Sequence, residues 1–278
     1  MLNEPKIFGH EELNRDQILL DRGFHYGDGL FETMASVKGE LPLLDHHLAR
    51  LERDCIKLLG RFPANEVQQR LDRVYSEISQ HRQPMVVKLL ITRGVSGRGY
   101  GYTSDTPFRV FAFIYPYHPI SDEQRLSGIR VIHCLHSLGD RGLLGSIKHC
   151  NRLDQIVARG EVQQSGADEG LMYNASGQLI EATSANVAVK FNDQWLTPEI
   201  SCIGIAGVAR QIMIEKGLLT VANITASTLQ QSSGMAIFNS VMGILPVANL
   251  PDKVFDDIPA EIIRELAGVL PPHMRGQW

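Results

Sequence analysis

Features that mark several common protein classes are scarce or missing in this sequence. The 278 residues include only four cysteines, Cys55, Cys134, Cys150 and Cys202, which are dispersed and form no CxxC pair. Scattered cysteines with no histidine at zinc-ligand spacing favour reduced thiols over a disulfide framework or a zinc site. We therefore expect a cytoplasmic protein that holds no metal.

Long apolar runs and an excess of positive charge are also missing. No window of about 18 apolar residues occurs, and the first residues lack the apolar stretch of a signal peptide. Lysine and arginine total 27 against 31 aspartates and glutamates, which gives a net charge of −4. We expect no membrane span, no secretion and no nucleic-acid partner, because a phosphate backbone is bound by a cationic surface.

The common catalytic motifs do not occur either. The sequence contains no P-loop, no GxSxG elbow, no HExxH, no EF-hand loop and no GxGxxG. The adjacent histidines His46 and His47 are predicted to be solvated, because neither stands at metal-ligand spacing with a second histidine and a carboxylate. The standard hydrolase and nucleotide-binding interpretations therefore lose their support.

The residues that are present predict a mixed α and β protein with a sizeable core. Hydrophobic residues make up 44% and charged residues 21% of the chain, close to average globular usage. Apolar residues recur at helical spacing over 44–59, where Asp45 is predicted as the N-cap. The β-rich runs 85–91 and 110–115 predict buried strands, with a glycine-rich loop at 94–101 between them.

A change of composition near residue 120 predicts a domain boundary. Two prolines end the strand at 110–115, and polar residues follow them. We expect a smaller N-terminal domain over 1–120 and a larger C-terminal domain over 121–278. Within the second domain we expect a helix that Asn151 caps and Gly166 ends, and a last helix over 259–270.

Two residues have surroundings that suit one cofactor chemistry. Lys148 precedes the helix that Asn151 is predicted to open, and a helix N-terminus favours the neutral amine that a Schiff-base lysine needs. Glu181 lies between two short strands, where a carboxylate can bind a protonated pyridine nitrogen. The alternatives are an exposed loop lysine and a solvated glutamate at a strand end, and each residue alone is consistent with them.

A phosphate site is suggested by two further segments. Gly204 to Ala209 offers backbone amides at the start of a helix, which suit an anion, and Arg50 offers a bidentate cationic contact. An ordinary helix start and an ordinary surface arginine are the alternatives.

Five segments together resemble the fold-type IV, or class IV aminotransferase-like, family of pyridoxal-phosphate enzymes. They are 21–33, 47–51, 148–153, 167–169 and 181–186. The resemblance implies an α+β, two-domain fold like that of D-amino-acid aminotransferase, pyridoxal 5′-phosphate as cofactor, a homodimer, and the cofactor lysine in the C-terminal domain. Within the family, 97–100 and 148–155 resemble the aminodeoxychorismate lyases of folate biosynthesis, which convert aminodeoxychorismate to pyruvate and 4-aminobenzoate.

The resemblance also implies a role for each matching residue. Lys148 would bind the cofactor covalently and act as the general base, and Thr33 would face the reacting centre. The remaining cofactor contacts would come from Glu181 at the ring nitrogen and from Arg50, Val208, Ala209 and Ser240 at the phosphate.

Substrate recognition is implied for residues of the first domain. Arg93 and Arg98 lie where the family binds substrate carboxylates, and Tyr26 would form part of a wall shared between subunits, although core packing explains Tyr26 equally well. Two positions depart from the pattern: Glu32 replaces a threonine of the lyase, and Ala209 lacks the hydroxyl of many transaminases.

Two other functions stay open from the sequence. A D-amino-acid or branched-chain aminotransferase would use the same scaffold and cofactor. A non-catalytic binding module would keep the scaffold without the cofactor. The loop at 97–100 favours the lyase, because a transaminase has no evident need for it.

Overall fold

The computed structural model describes residues 4–9, 11, 13–200, 202–255 and 259–276. The contacts divide the chain into two compact units. Unit 1 comprises Met1–His118 with Ile147–Asn151, and unit 2 comprises Pro119–Ser146 with Arg152–Trp278.

Unit 1 contains one antiparallel sheet of four strands in the part of the chain that the structure describes. The strands are β1 (Lys6–Phe8), β2 (Gly29–Ser36), β3 (Met85–Thr92) and β4 (Arg109–Pro116), and their order is β1-β4-β3-β2. Burial alternates along β3 and β4, as expected for strands with one face on a core. The strands predicted at 85–91 and 110–115 are therefore confirmed.

Two long helices cover one face of this sheet. The helices of unit 1 are α1 (Arg15–Leu19), α2 (Arg22–Tyr26), α3 (Leu44–Leu59) and α4 (Ala64–Ile78). The helical pattern at 44–59 is confirmed, but the predicted cap is wrong: Leu43 is the N-cap and makes no side-chain bond, and Asp45 lies inside the first turn. Leu51, Cys55, Leu71 and Val74 pack with the buried side chains of the sheet to form the core.

The other face of the sheet carries a different set of side chains. Successive residues of a strand point to opposite faces, so Phe31 and Thr33 lie on the face away from the buried Leu30 and Met34. Both Phe31 and Thr33 are half-buried.

The segment Ile147–Asn151 belongs to unit 1 because its backbone pairs with β2. His149 forms an isolated antiparallel bridge with Leu30, and the Phe31 amide donates to the Lys148 carbonyl at 3.2 Å. This grouping differs from the sequence prediction, which placed Lys148 in the C-terminal domain. The sequence pattern alone does not show that a short segment returns to the first sheet. The predicted ranges 1–120 and 121–278 otherwise stay a prediction.

Unit 2 contains a mixed sheet of nine strands among the described residues. The strands are β5 (Ile129–His133), β6 (Glu169–Tyr173), β7 (Leu179–Ala182), β8 (Asn186–Phe191), β9 (Gln194–Pro198), β10 (Thr220–Ala222), β11 (Gly234–Asn239), β12 (Gly243–Leu250) and β13 (Lys253–Val254). Their order is β10-β9-β8-β11-β12-β5-β6-β7, with β13 beside β12. The pairs β9–β10, β5–β12 and β5–β6 are parallel and the others are antiparallel.

Five helices accompany this sheet in the described ranges. They are α5 (Asp122–Ser127), α6 (Leu153–Ser165), α7 (Val208–Glu215), α8 (Ala226–Gln231) and α9 (Pro259–Ala267), with short 3-10 turns at Gly142–Ser146 and Pro272–Arg275. The predicted N-cap Asn151 is wrong, since Arg152 precedes the first helical residue. Gly166 does end α6 in a left-handed conformation, as predicted.

The chain is thus an α+β protein, as predicted. The last helix was expected over 259–270 and ends at Ala267. Ala158 and Val162 of α6 share a core cluster with Met172 of β6 and Ile180 of β7. None of the described helices has both the length and the hydropathy to cross a bilayer.

Candidate functional site

The predicted site residues divide between the two units. Unit 1 contains Lys148, Thr33, Arg50, Arg93, Arg98 and Tyr26, and unit 2 contains Glu181, Val208, Ala209 and Ser240. We describe each group within its own unit.

Lys148 is held by both of its backbone polar groups. Its amide donates to Oδ2 of the buried Asp54 on α3 at 3.1 Å, and its carbonyl accepts from Phe31 on β2. Its Nζ lies 4.3 Å from the centroid of the Phe31 ring. The amine therefore projects from a fixed backbone onto the half-buried sheet face that also carries Thr33. A backbone anchor, and not the helix that the sequence suggested, positions this lysine.

A buried ion pair connects β2 to α3 on the opposite face. Glu32 is 1% exposed and accepts from Arg50 Nε at 2.7 Å and from Arg50 Nη2 at 2.6 Å. His47 Nδ1 lies 2.6 Å from the same carboxylate. From the sequence, Glu32 stands out only as a departure from the lyase pattern, and His47 is predicted to be solvated. Both are buried, whereas His46 is exposed as predicted.

The charge states of this cluster follow from their surroundings. Burial by itself raises the pKa of Glu32. Arg50 and His47 lower this pKa by more than burial raises it, so the net value is about 2. Burial lowers the pKa of His47, against the opposing effect of Glu32. A neutral His47 therefore donates from Nδ1 to the ionised Glu32, and its Nε2 has no hydrogen-bond partner among the described residues. Glu32 orients Arg50, which gives this carboxylate a positioning role.

A second cluster in unit 1 contains Arg93, one of the two arginines that were predicted to bind substrate. Arg93 donates from Nε to Asp28 Oδ2 at 2.8 Å and from its other nitrogens to the carbonyls of Leu58 and Leu59. It is 4% exposed. Because all three nitrogens of Arg93 bind inside the unit, we do not include it in the substrate site that we propose below.

The loop at 97–100 is held by Arg22, a residue that the sequence analysis did not single out. Its guanidinium donates to the carbonyls of Gly99, Tyr100 and Gly101 and to Asp28, at 2.8–3.1 Å. Arg98 is exposed in this loop. Tyr26 is half-buried, and its ring centroid lies 5.4 Å from that of Tyr100.

In unit 2, Glu181 is a buried carboxylate with two fixed oxygens. Gln155 Nε2 donates to Oε1 at 3.0 Å, and the Ile205 amide donates to Oε2 at 2.9 Å. The side chain is 4% exposed, so the alternative of a solvated glutamate is wrong. Sequence reasoning missed Gln155 and Ile205, because their relation to β7 depends on how α6 and the loop before α7 pack.

The start of α7 presents amides in a tightly built loop. The first amides of a helix have no carbonyl partner within it, so those of Val208 and Ala209 suit an anion. Gly207 donates to Asn186 Oδ1 at 3.0 Å, and Asn186 Nδ2 donates to the Ile205 carbonyl at 2.8 Å. A Cβ at Gly207 would lie 2.1 Å from Asn186 Oδ1. A side chain at this position would require Asn186 to move.

Ser240 lies in the turn after β11 and is half-buried. Its carbonyl accepts from His273 Nε2 at 3.3 Å, and its role at the phosphate stays a prediction. Across the described ranges, no group of three or more histidine, cysteine or acidic side chains is arranged to bind a metal ion.

Comparison with known proteins places this arrangement in a family. Residues 29–250 match the family model described as Amino-transferase class IV, which covers most of the chain. The chain belongs to the class IV aminotransferase family. This is the fold-type IV family of pyridoxal-phosphate enzymes, so the predicted family, architecture and cofactor are confirmed.

Similar proteins cover almost the whole of this family member. It is 30% identical to an aminodeoxychorismate lyase of Vibrio harveyi over 90% of this chain and 94% of the relative. It is 27% identical to a D-alanine aminotransferase of Bacillus licheniformis over 83% of this chain and 81% of that relative. The crystal structure of 4-amino-4-deoxychorismate lyase from Pseudomonas aeruginosa matches with a TM-score of 0.83, at 29% identity, over 96% and 99% of the two chains.

The residues of this chain fit pyridoxal phosphate chemically. Pyridoxal phosphate needs an amine for its aldehyde, a carboxylate for its protonated ring nitrogen and donors for its phosphate. Lys148 in unit 1 offers such an amine, and unit 2 offers the buried carboxylate of Glu181 and the amides at the start of α7. The role of each residue stays a prediction. The close approach of Gly207 to Asn186 shows that the α7 loop is built to a fixed shape.

Proposed function

We propose that this enzyme is a pyridoxal-phosphate-dependent 4-amino-4-deoxychorismate lyase, which releases pyruvate and 4-aminobenzoate. The observation that carries the proposal is the position of Lys148, whose backbone is fixed on β2 and α3 and whose amine lies on the half-buried face that carries Thr33. The similarity to aminodeoxychorismate lyases over most of the chain supports the same activity.

The cofactor, when bound, supplies an electron sink for the negative charge that develops on the substrate carbon bearing the amine. The protein supplies the groups around it. In unit 1, Lys148 would bind the aldehyde and Arg50 would contact the phosphate. In unit 2, Glu181 would keep the ring nitrogen protonated, and the amides of Val208 and Ala209 would donate to the phosphate. Ser240 adds a further phosphate contact. Gln155 and the Ile205 amide position Glu181 for its role.

The proposed reaction needs a base and then an acid. The Lys148 amine would act as the base and remove the proton from the ring carbon that bears the substrate amine. The bond between the neighbouring ring carbon and the ether oxygen then breaks, and the ring becomes aromatic. The departing enolpyruvyl group takes up one proton and becomes pyruvate, so atoms and charge balance. The Lys148 ammonium carries that proton, and Thr33 is the second candidate donor on the same face.

Substrate recognition needs cations, because the proposed substrate has two carboxylates. Arg98 is exposed in the loop that Arg22 holds, so its guanidinium is accessible to one of them. Tyr26 packs beside Tyr100 of the same loop and lines this part of the site.

The product assay tests the proposal and separates it from its rivals. Purified enzyme loaded with cofactor is mixed with aminodeoxychorismate, and both products are measured. We expect equimolar pyruvate and 4-aminobenzoate from the wild type and from Lys57→Ala, whose lysine is exposed on α3, and none from Lys148→Ala. Transamination of D-alanine with no release from aminodeoxychorismate would instead identify an aminotransferase, which the relative from Bacillus licheniformis makes the second candidate. A protein that binds no cofactor would be a binding module.

We also propose a cytoplasmic homodimer. Leu153, Ile156 and Val157 on one face of α6 are between 50% and 70% exposed, an apolar stripe that a second copy would cover. Phe24, on α2, is 71% exposed. The four cysteines, all among the described residues, form no disulfide, which fits a reducing compartment. Light scattering tests the dimer, and a monomeric mass would contradict it.

A further inference from the structure

A second lysine lies on the same aromatic ring as Lys148. Lys88 Nζ is 4.9 Å from the centroid of the Phe31 ring, and Lys148 Nζ is 4.3 Å from the same point. The two nitrogens are therefore no more than about 9 Å apart, the sum of these distances. Both amines therefore contact one aromatic ring on one face of the unit 1 sheet.

The backbone fixes Lys88 on this face. It lies in the middle of β3 and is paired directly with Thr33 of β2 in the antiparallel register. Its neighbours Val87 and Leu89 point into the core and are 0% exposed, so the alternation of the strand turns Lys88 to the other face. Residues directly opposite in an antiparallel pair lie close together, which brings Lys88 beside the predicted catalytic hydroxyl.

The charge of Lys88 is not neutralised by a carboxylate of the described chain. The structure records the Phe31 ring as the contact of its ammonium and no ion pair or hydrogen bond with described residues. Removing a charged group from water is costly unless an opposite charge or hydrogen bonds compensate it. An unneutralised cation on a half-buried face is therefore a place where an anionic group of a ligand binds favourably.

The proposed substrate presents such a group. Its ring carries a carboxylate across from the amine, and this carboxylate is retained in 4-aminobenzoate. Arg93, the second arginine expected to bind a carboxylate, is used inside unit 1. A second cation is therefore needed beside Arg98. The two nitrogens are at most about 9 Å apart. A six-membered ring with substituents at opposite positions can reach both of them within this distance.

We infer that Lys88 binds the ring carboxylate of the substrate and is a specificity-determining residue of the lyase, an inference that rests on the proposed function. Phe31 lies against both amines, so the substrate ring would extend along it from the Lys148 end to the Lys88 end. The enolpyruvyl carboxylate is then left to Arg98.

Ligand binding tests this assignment without relying on turnover. Equilibrium dialysis of the cofactor-loaded enzyme measures the affinity for 4-aminobenzoate, for the neutral 4-aminobenzamide and for pyruvate. We expect Lys88→Met to weaken 4-aminobenzoate binding about tenfold or more, because a charge-assisted contact is lost. The affinities for 4-aminobenzamide and pyruvate should change less than about twofold.

Two control variants define the comparison. Lys57→Met removes an exposed lysine of α3 and should bind all three ligands as the wild type does. Lys88→Arg keeps the charge and should retain most of the affinity for 4-aminobenzoate. This variant also provides the measurement at position 88 if Lys88→Met does not fold.

The outcomes that would overturn the assignment are distinct. Equal binding of 4-aminobenzoate by wild type and Lys88→Met, or no binding by the wild type, would contradict it. An equal loss for 4-aminobenzoate and 4-aminobenzamide would identify a packing effect, and a loss confined to pyruvate would assign Lys88 to the other carboxylate. Failure of the wild type to release pyruvate from aminodeoxychorismate would contradict the proposed function instead, and the binding comparison does not depend on that result.

Discussion

Single charged residues determine how unit 1 presents its functional groups. Glu32 shows this most clearly, because one buried carboxylate holds Arg50 in a bidentate contact and also binds His47. Breaking a buried pair by removing one partner leaves an uncompensated charge, which costs more than the pair itself contributes. The sequence predicted Arg50 as a phosphate ligand, which stays a prediction, and it could not show that Glu32 holds this arginine.

The Glu32→Gln variant tests the strength of this pair. We expect the free energy of unfolding at pH 7 to fall by about 3–5 kcal/mol, because Arg50 remains buried beside a neutral amide. The pKa of Glu32 is lowered from 4.5 to about 2, so its contribution is present above pH about 4.5 and is lost as the pH falls toward 2. Urea unfolding of wild type and variant should therefore show a difference that shrinks over this range. A difference that stays constant from pH 7 to pH 3 would contradict the ionised pair.

Arginines illustrate the limit of prediction at this scale. Arg93 and Arg98 are five residues apart and have the same chemistry, yet Arg93 is enclosed by Asp28 and the end of α3 while Arg98 is exposed. Which guanidinium is accessible depends on tertiary packing that the local sequence does not encode. Lys88 shows the same limit. The strand pattern predicts which face of the sheet carries Lys88, but it does not predict the contact with the Phe31 ring of the neighbouring strand β2.

At the scale of elements, helix starts were the least predictable feature. The apolar spacing gives the bodies of α3 and α6, because burial requires it. It does not give their first residues, since Leu43 and Arg152 cap these helices without a side-chain bond. Helix α7 is the exception, because the glycines at 204 and 207 predicted a helix start here and the helix begins directly after Gly207.

The Gly207→Ala variant tests the loop that leads into α7. A Cβ at this position would lie 2.1 Å from Asn186 Oδ1, so Asn186 must move and its bonds to Gly207 and Ile205 weaken. We expect the affinity for pyridoxal phosphate, measured by equilibrium dialysis, to fall about tenfold, the effect of losing one or two hydrogen bonds. Gly139→Ala is the control, because a Cβ there meets no atom within 4 Å. Equal affinity in both variants would contradict the role of this loop.

At the scale of the whole molecule, the resemblance of five short segments was sufficient to predict the family and the α+β architecture. Those segments contain Lys148, Glu181 and Arg50, which are predicted to bind the cofactor, and the comparisons confirm the family and the architecture. The division into compact units was harder to predict from the sequence, because Ile147–Asn151 joins unit 1 through a long-range backbone pairing with β2. The composition of a five-residue segment does not show that it belongs to a different unit from its flanking residues.

The central claim is that Lys148 alone carries the cofactor. Borohydride reduction fixes pyridoxal phosphate covalently to the lysine that binds it, and peptide mass spectrometry then locates the modified residue. We predict one modified peptide, which contains Lys148, and no modification of the Lys148→Ala variant. Modification of Lys88 or of another lysine in the wild type, or no modification at all, would contradict the account.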